Sequence, residues 1–339
     1  MIEVKHLTKR YGNLEAVSDL SFTIEKGQIY GFLGPNGAGK STTMNIMTGC
    51  LAATSGQVRI GGYDIFEDAA KAKRLIGYLP EQPPLYLDST PREYLSFVAD
   101  AKKIPAKERS AQIEHVMAVT QITHVADRLI KNLSKGYKQR VGIAQALLGD
   151  PEIIILDEPT VGLDPLQIVE IRELIQELGK SHTVILSSHI LSEVQAVCQT
   201  IMIISKGKLV ACDKAENLER LFAGTTTLEL LTEASEAEIE QILSGVSHIS
   251  DYLITPREDG LCAVDVDLDL PASPTISREL FFAFSNAQKA ILQLTINKAS
   301  LEDIFIELTC PDSDLPKTEE AQAEAAPVQP DEQKEVPEA

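Results

Sequence analysis

The sequence has no long apolar run and few cysteines. Its longest apolar stretches, such as TVILSS and QTIMIIS, are shorter than the roughly 20 residues that a membrane-spanning helix needs. The amino-terminal MIEVKHL lacks the basic and then apolar form of a signal peptide. The cysteines are scattered, odd in number and without metal-binding spacing, which favours reduced thiols in a cytosol. They are Cys50, Cys198, Cys212, Cys262 and Cys310. We therefore expect a cytoplasmic protein that works at a membrane only by docking.

Basic residues are also scarce, with 31 lysines and arginines against 50 acidic residues and a net charge of −19. Such a balance disfavours binding to the phosphate backbone of nucleic acid, so we expect no nucleic-acid partner. The deficit is pronounced in residues 311–339, which contain nine acidic residues, two lysines and almost no large apolar side chains. This composition predicts an acidic disordered tail.

The sequence does contain a glycine-rich loop, GPNGAGKS, that fits the P-loop pattern G-x-x-x-x-G-K-[ST]. The preceding QIYGFL predicts a buried strand, and the following STTMNIMTG predicts a helix. Glycines let backbone N–H groups turn toward phosphate oxygens at a helix N-terminus. Lys40 is expected to reach the β- and γ-phosphates, and Ser41 to ligate Mg²⁺. The predicted nucleotide-binding residues of the loop are Gly34, Pro35, Asn36, Gly37, Ala38, Gly39, Lys40, Ser41 and Thr42.

A second acidic site ends the run PEIIILDEPT, whose apolar part is typical of a central parallel strand. Asp157 stands where this strand opens into the site and is expected to hold Mg²⁺. Glu158 is expected to polarise the attacking water as general base. An isolated Asp-Glu-Pro is better explained as a strand end, but the P-loop upstream favours the catalytic interpretation. Together the two motifs predict an ATPase that uses Mg²⁺.

The order of these motifs resembles that of the ATP-binding cassette (ABC) ATPases over about residues 1–220. LSKGYKQR is similar to the family's signature motif, LSGGQ, with Lys135 and Tyr137 in place of Gly and Gln. Ser134 and Gly136 are retained, and the resemblance implies that they touch the γ-phosphate bound by the opposite subunit. A helix that starts at this serine suits the role, because the hydroxyl and the free N–H groups form an anion site.

The resemblance implies roles for further positions. Tyr11 matches the aromatic residue that stacks on adenine, and His189 matches the histidine that contacts the γ-phosphate and orients the water. Asp164 matches the loop acid that crosses the dimer interface, although Asp-Pro is also a common helix start and Asp164 is a candidate cap. The family has a glutamine that senses Mg²⁺ and links to the transport partner where this chain reads Glu81 and then Gln82. We assign the role to Glu81; a loop shifted by one residue would assign it to Gln82.

The predicted fold is α/β, a P-loop NTPase of the ABC ATPase type over residues 1–222. Short alternating stretches in residues 1–30 predict an antiparallel β-subdomain beside the nucleotide. Helical periodicity without strand-like runs at about 83–150 predicts an inserted helical subdomain. Apolar runs that alternate with helices predict a parallel core sheet, with the ligand at the carboxyl ends of its strands. The predicted strands lie at 75–79, 152–156, 183–187 and 200–204.

Residues 223–310 carry no catalytic motif, but their pattern predicts a second folded unit. Six segments from TTTLELLT to AILQLTI read as β, α, β, β, α, β, the order of a small α+β ferredoxin-like domain. Ser235 and Glu238 form a candidate capping box on its first helix. The closing SLEDIFIELT resembles a C-terminal segment common in ATPases of the ABC type-2 export class. The variant signature motif favours the same class.

The resemblance implies the ATPase subunit of an ABC exporter. Two copies, or this chain and a related ATPase, are expected to close head-to-tail around two ATP molecules on the cytoplasmic face of the cell membrane. They would drive a separate transmembrane permease through the loop 81–95, where Leu85, Tyr86 and Leu87 offer an apolar edge. These side chains could equally pack under the helical subdomain.

The alternative is a soluble ABC ATPase that acts on ribosomes or DNA. Such relatives usually carry two cassettes, long coiled-coil insertions or basic linkers. The single cassette, the lack of heptad runs and the acidic tail disfavour that alternative.

Overall fold

The computed structural model describes residues 1–215, 217–218, 226–257, 260–268, 274–297 and 305. Up to residue 213 the described chain forms two sheets. Its strands are β1 (Ile2–Tyr11), β2 (Leu14–Ile24), β3 (Ile29–Leu33), β4 (Ser55–Ile60), β5 (Tyr63–Asp64), β6 (Ile76–Leu79), β7 (Ile153–Leu156), β8 (Thr183–Ser188), β9 (Thr200–Ser205) and β10 (Lys208–Asp213). Its α-helices are α1 (Lys40–Met47), α2 (Ala69–Arg74), α3 (Pro91–Ala101), α4 (Ala106–Val119), α5 (Lys135–Leu147), α6 (Pro165–Leu178) and α7 (Leu191–Val197).

The first sheet is antiparallel, with the strand order β2-β1-β4-β5. Strands β1 and β2 form a hairpin whose two-residue loop contains Gly12 at a φ of 59°. Glycine tolerates this left-handed conformation, which hairpin loops of this length require. The sheet confirms the predicted antiparallel β-subdomain, and its first hairpin brings Tyr11 to the end of β1.

The central sheet has the order β10-β9-β3-β8-β7-β6 and is parallel except for β10, which pairs antiparallel with β9 at the edge. Successive residues of β3 point to opposite faces. Ile29 and Leu33 therefore pack in one hydrophobic cluster, whereas Tyr30 and Phe32 pack in another. Because both faces are covered, the core strands are mostly apolar. All four predicted strands of this sheet are present within one residue of their predicted bounds.

Helices α3, α4 and α5 form the predicted helical subdomain. Helix α3 begins with a capping box, in which the Thr90 side chain accepts from the backbone of Glu93 and the Glu93 side chain accepts from the backbone of Thr90. Pro91 occupies the first helical position, where its missing N–H costs nothing. The buried faces of the helices pack into the cluster that also covers one face of the central sheet, with Leu95 and Met117 fully buried.

The second folded unit consists of β11 (Thr226–Thr232), α8 (Glu236–Leu243), β12 (Ile249–Pro256), β13 (Cys262–Leu268), α9 (Pro274–Asn286) and β14 (Ile291–Asn297). Its sheet has the order β12-β13-β11-β14, and every neighbouring pair is antiparallel. This is the ferredoxin-like arrangement that the sequence predicts. The capping box of Ser235 and Glu238 is present on α8. The unit has its own core, in which Leu228, Val264 and Phe284 are fully buried.

Two predictions fall largely outside the described residues. The segment SLEDIFIELT is described only at Phe305, which packs against the hydrophobic cluster of the helical subdomain and central sheet. The predicted disordered tail at 311–339 lies wholly outside them. Across the part of the chain that is described, no helix has both the length and the apolar character to cross a membrane.

Candidate functional site

The carboxyl ends of β1, β3, β6, β7 and β8 surround one cavity of about 470 Å³. The predicted nucleotide-binding residues line much of its wall. Three apolar residues, Leu14, Ala16 and Val161, also form part of the wall. The sequence did not predict them, because they belong to no motif. The lining residues are Tyr11, Leu14, Ala16, Asn36, Gly37, Ala38, Gly39, Lys40, Ser41, Thr42, Glu81, Glu158, Val161 and His189.

The glycine loop needs glycine for steric reasons at two of its positions. A Cβ on Gly34 would lie 2.3 Å from the backbone oxygen of Ile204. Gly39 has a φ of 103°, and a Cβ there would lie 2.5 Å from the backbone oxygen of Ala16. A left-handed residue immediately before Lys40 turns the chain from the loop into helix α1. The N-terminus of this helix therefore opens into the cavity, where its N–H groups favour an anion.

Lys40 is buried at the first position of α1. Its ammonium donates to the backbone oxygen of Gly34 at 2.7 Å. It also lies 3.3 Å from Oε1 of Glu158, and both side chains are less than a tenth exposed. The loop thus holds a positive charge at the cavity wall, as binding of a phosphate chain requires.

Asp157 follows the last residue of β7 and accepts two side-chain hydrogen bonds. Its Oδ1 accepts from the Ser187 hydroxyl at 2.6 Å and from the Ser41 hydroxyl at 3.1 Å. Burial raises the pKa of Asp157, and the hydrogen bonds from Ser187 and Ser41 oppose that shift. The neighbouring hydroxyl and carboxylate oxygens of Ser41 and Asp157 are the hard ligands that Mg²⁺ prefers. These residues therefore fit the predicted metal.

Glu158 contacts His189, which follows strand β8. Oε2 of Glu158 lies 3.0 Å from Nδ1 of His189. The backbone N–H of Glu158 donates to the Ser187 hydroxyl at 2.8 Å. Glu158 also has a φ of 47°, which is uncommon for a residue with a side chain. Because β7 and β8 are parallel neighbours, they deliver a carboxylate and an imidazole to the same edge of the cavity.

Of the two candidates for the family's glutamine role, only one lines the cavity. Glu81 lies on the wall, two residues beyond the end of β6. Gln82 is not among the lining residues. The geometry therefore favours Glu81 for this role. The position of Glu81 after strand β6 favours the same assignment.

The predicted signature residues do not line this cavity. Ser134 caps α5, and its hydroxyl accepts from the backbone N–H of Tyr137 at 3.4 Å. Ser134 and Lys135 are exposed, whereas Gly136 is buried against the side chain of Gln167. An exposed cap outside the chain's own cavity is what the expected role on an opposite subunit's nucleotide requires.

Two residues assigned by resemblance lie at the surface. Asp164 caps α6, where its side chain accepts from the backbone N–H of Gln167 at 2.9 Å. The helix-cap alternative is therefore correct for this residue, and its interface role stays a prediction. Tyr11 lines the cavity with about half of its surface exposed, and the Lys9 ammonium lies 5.1 Å from its ring centroid.

Sequence reasoning missed the hydroxyl residues that hold the acidic pair in place. Ser187 bonds both to the Asp157 carboxylate and to the Glu158 N–H. The signal was present in the pair of serines before His189, but strand spacing alone does not state that β8 lies beside β7.

Comparison with known proteins agrees with this site. The family model described as "ABC transporter" matches residues 17–161. Over 311 residues the chain is 36% identical to the bacitracin transport ATP-binding protein BcrA of Bacillus licheniformis, covering 91% of this chain and 97% of BcrA. It is 31% identical to the linearmycin resistance ATP-binding protein LnrL of Bacillus subtilis, covering 91% of this chain and 98% of LnrL.

Solved structures give the same result for the ATPase part. The ATP-binding subunit of an ABC transporter is 31% identical with a TM-score of 0.60, covering 66% of this chain and 93% of that subunit. A dimeric, post-hydrolysis ATP-binding cassette with bound ADP and Pi is 26% identical with a TM-score of 0.58, covering 63% of this chain and 98% of that cassette.

The matches to BcrA and LnrL extend beyond the ATPase part, because they cover nearly the whole length of both proteins. ATPases of this kind hydrolyse ATP, form dimers and work with a transmembrane permease. The alternative role on ribosomes or DNA gains no support. The chain therefore belongs to the ATP-binding, ATP-hydrolysing proteins of ABC transporters, in the type-2 export class.

Proposed function

We propose that this chain powers an exporter from the cytoplasmic face of the membrane and that Glu158 is the general base of its ATPase site. One observation carries the assignment. Glu158 is buried at the cavity with one carboxylate oxygen 3.0 Å from His189 and the other 3.3 Å from Lys40. A general base needs hydrogen-bond reach to the water that it activates, and this carboxylate lines the cavity where the phosphates would bind.

Lys40 and the N–H groups of the glycine loop bind the phosphate chain in this proposal. Ser41 and Asp157 would hold Mg²⁺, since their oxygens lie 3.1 Å apart. The ion would supply positive charge that stabilises the negative charge developing on the phosphate during hydrolysis. Tyr11 provides a half-exposed ring on the cavity wall for adenine.

Glu158 accepts the proton of the attacking water at its carboxylate. His189 fixes the orientation of that carboxylate through Nδ1, which leaves Nε2 as the ring nitrogen for the γ-phosphate. The apolar side chains of Leu14 and Val161 line the same cavity.

A head-to-tail dimer completes the site. Ser134 and Asp164 are both exposed helix caps outside the chain's own cavity. In a two-fold dimer each subunit offers the same surface to the other, so one signature motif can close each of the two cavities. Lys135, between the two retained signature residues, adds a positive charge to the surface that faces the partner's phosphates.

The permease contact is assigned to the loop 81–95. Leu85 is partly buried and packs against the core, but Tyr86 and Leu87 are each about half exposed. The Tyr86 ring lies 5.1 Å from that of Phe97, which is also half exposed. This apolar edge adjoins the cavity through Glu81, so movement at the nucleotide can reach it through one short segment. The proposed domains are residues 1–222 for the ATPase, 223–310 for the accessory domain and 311–339 for the tail.

Glu158→Gln tests the assignment. The variant is expected to bind ATP and to lose turnover by roughly 10²-fold or more, because an amide cannot accept the proton of water. It should also accumulate as an ATP-bound dimer in size-exclusion chromatography. Glu173→Gln, at an exposed position of α6, is the matched control and should behave as wild type.

Turnover close to wild type in the Glu158→Gln protein would rule out Glu158 as the base. The transport role is tested separately, by co-purification with a membrane protein that has about six apolar spans of ~20 residues. Tyr86→Ser and Leu87→Ser should reduce that co-purification while basal ATPase activity persists. Recovery of ribosomes in its place would contradict the exporter assignment.

A further inference from the structure

Helix α7 carries a buried carboxylate that the roles described so far do not use. Glu193, in the first turn of this helix, is 5% exposed. Its Oε2 accepts a hydrogen bond from the Thr160 hydroxyl at 2.5 Å and another from the Ser188 hydroxyl at 3.0 Å. Glu193 does not line the nucleotide cavity. Burying a carboxylate costs folding free energy unless hydrogen bonds compensate for the lost contact with water. The two hydroxyls provide that compensation.

The two hydroxyls lie in or beside the loops that carry the proposed catalytic pair, because Thr160 is in the loop after β7 and Ser188 is the last residue of β8. Thr160 stands two residues after Glu158, and Ser188 stands directly before His189. The Ser188 hydroxyl also accepts from the backbone N–H of Ile190, which fixes the chain on the far side of the histidine. One carboxylate oxygen therefore joins both loops at the edge where Glu158 and His189 approach to 3.0 Å.

The hydrogen bonds of Glu193 matter because the backbone of Glu158 is strained. Glu158 has a φ of 47°, a left-handed conformation that a side chain makes costly and that persists only where the surroundings hold it. On its amino-terminal side, Ser187 holds both the Asp157 carboxylate and the Glu158 N–H. On its carboxyl-terminal side, Thr160 is the first residue of the described chain whose side chain forms a hydrogen bond, and it donates that bond to Glu193. Glu193 thus fixes the second end of the strained turn.

We propose that Glu193 is a positioning residue for ATP hydrolysis. Its hydrogen bonds with Thr160 and Ser188 keep Glu158 and His189 in their positions relative to each other. This proposal rests on the proposed role of Glu158 as general base. Loss of the carboxylate would free both loops and let the base move relative to the phosphate. Displacements of about 1 Å at a catalytic group can lower the rate by roughly 10²-fold.

A purely structural role makes a different prediction. An acidic residue in the first turn of a helix stabilises that helix, so its removal would lower the melting temperature of the whole protein. In that case removal of Glu193 would leave kcat per folded molecule unchanged, and kcat would not fall while KM stays constant. The measurement therefore has to report kcat and KM for ATP together with the folded fraction of the same preparation.

Two substitutions at Glu193 separate the roles. Glu193→Ala removes the acceptor and is expected to lower kcat by ~10-fold or more, with KM for ATP within about 3-fold of wild type. Glu193→Gln keeps an oxygen that can accept from both hydroxyls and is expected to keep kcat within about 3-fold. Ser192→Ala, the exposed neighbour on the same helix, is the control and should match wild type.

Thr160 provides an independent route if Glu193→Ala fails to fold. Thr160→Val preserves shape but removes the donor, and it should lower kcat as Glu193→Ala does. Thr160→Ser keeps the hydroxyl and should restore most of the rate. Wild-type kcat in Thr160→Val, or equal losses in Glu193→Ala and Glu193→Gln, would overturn the positioning role.

Glu158→Gln, assayed in parallel, distinguishes failure of the Glu193 proposal from failure of the proposed role of Glu158 as general base. If Glu158→Gln is inactive but Glu193→Ala and Thr160→Val turn over normally, only the positioning role of Glu193 fails. If Glu158→Gln itself remains active, the proposed base fails and the Glu193 proposal fails with it.

Discussion

The Lys40 ammonium lies 3.3 Å from Oε1 of Glu158, and both groups are buried. The side chain assigned to bind phosphate is therefore also the neighbouring cation of the proposed base. His189 contacts the other oxygen of the same carboxylate. The two partners give Glu158 a defined orientation, and a phosphate that draws Lys40 toward itself would alter the charge beside the base. Binding and activation are thus coupled through one ion pair.

Lys40→Ala is expected to destabilise the protein by about 2–4 kcal/mol, because it leaves a buried carboxylate without its cation. The double variant Lys40→Ala with Glu158→Gln should recover part of that loss, which a double-mutant cycle in urea would measure. Lys180→Ala is the control, since its pair with Glu177 is exposed and is worth no more than about 1 kcal/mol. Additive losses in the cycle would contradict a stabilising pair.

Glu81→Ala and Gln82→Ala form a matched pair that tests the loop assignment. Only Glu81 lines the cavity, so its loss should lower ATP turnover by roughly 10-fold and raise the Mg²⁺ concentration needed for half-maximal rate. Gln82→Ala should stay within about 2-fold of wild type. The reverse order of effects would assign the family's glutamine role to Gln82.

Mixing two inactive variants tests whether the signature motif acts across the dimer. In a dimer of Lys40→Ala with Ser134→Ala, one of the two sites has an intact loop and an intact signature motif. A one-to-one mixture should therefore recover roughly a quarter of the wild-type rate, since about half of the dimers are mixed. The assay should be run well below the melting temperature of the Lys40→Ala protein.

The same mixture should show no recovery if both motifs act within one subunit. Ser134→Ala also removes a helix cap, which costs about 1 kcal/mol. Thr90→Ala removes the cap of α3 and controls for that loss. It should leave the ATPase activity of the purified protein near wild type.

Asp157→Asn is expected to abolish turnover and to stabilise the free protein at neutral pH by on the order of 1 kcal/mol. Burial raises the pKa of Asp157 above its ordinary value of 3.8, so the folded protein holds this proton more tightly than the unfolded chain. Stability therefore falls as the pH rises through the raised pKa, and the variant escapes that loss.

Thermal or urea unfolding of both proteins from about pH 4, near the ordinary pKa of an aspartate, up to about pH 8 measures the difference. The advantage of Asp157→Asn should grow with pH and then level off. The amide oxygen can still accept from Ser41 and Ser187, so those hydrogen bonds are preserved. An advantage that shrinks as the pH rises would contradict the direction of the shift.

Gly39→Ala and Gly27→Ala separate backbone strain from steric collision. Both glycines have positive φ, but a Cβ on Gly27 meets no atom within 4 Å, whereas one on Gly39 would meet a backbone oxygen at 2.5 Å. Gly27→Ala should cost about 1 kcal/mol, and Gly39→Ala should cost clearly more and abolish ATP binding. Equal losses of stability would indicate that the loop can move away from Ala16.

The sequence predicted the residues that lie in continuous motifs. The glycine loop, the acids after β7 and the capping box of Ser235 and Glu238 each depend on neighbours in the chain, so their spacing already contains the geometry. The order of elements in the accessory domain followed from hydrophobic periodicity for the same reason.

Hydrogen bonds between distant segments were not predicted where they lie outside the family motifs. The bond from Thr160 to Glu193 and the pairing of Ser187 with Asp157 require β7 and β8 to be neighbours. The edge strand β10 was also missed. Among the described strands it pairs only with β9, and it has no fully buried residue, so its sequence lacks the strongly apolar run of the central strands. Strand order depends on packing of the whole sheet, which local periodicity does not encode.

In the accessory domain, strands β11 and β14 are neighbours, and Thr227 lies opposite Asn297. The chain therefore enters the domain at the start of β11 and leaves it at the end of β14, at neighbouring points. A unit with adjacent ends can be removed or replaced at two junctions that lie close together in space. An engineer could exchange it there for a sensor or a fluorescent reporter.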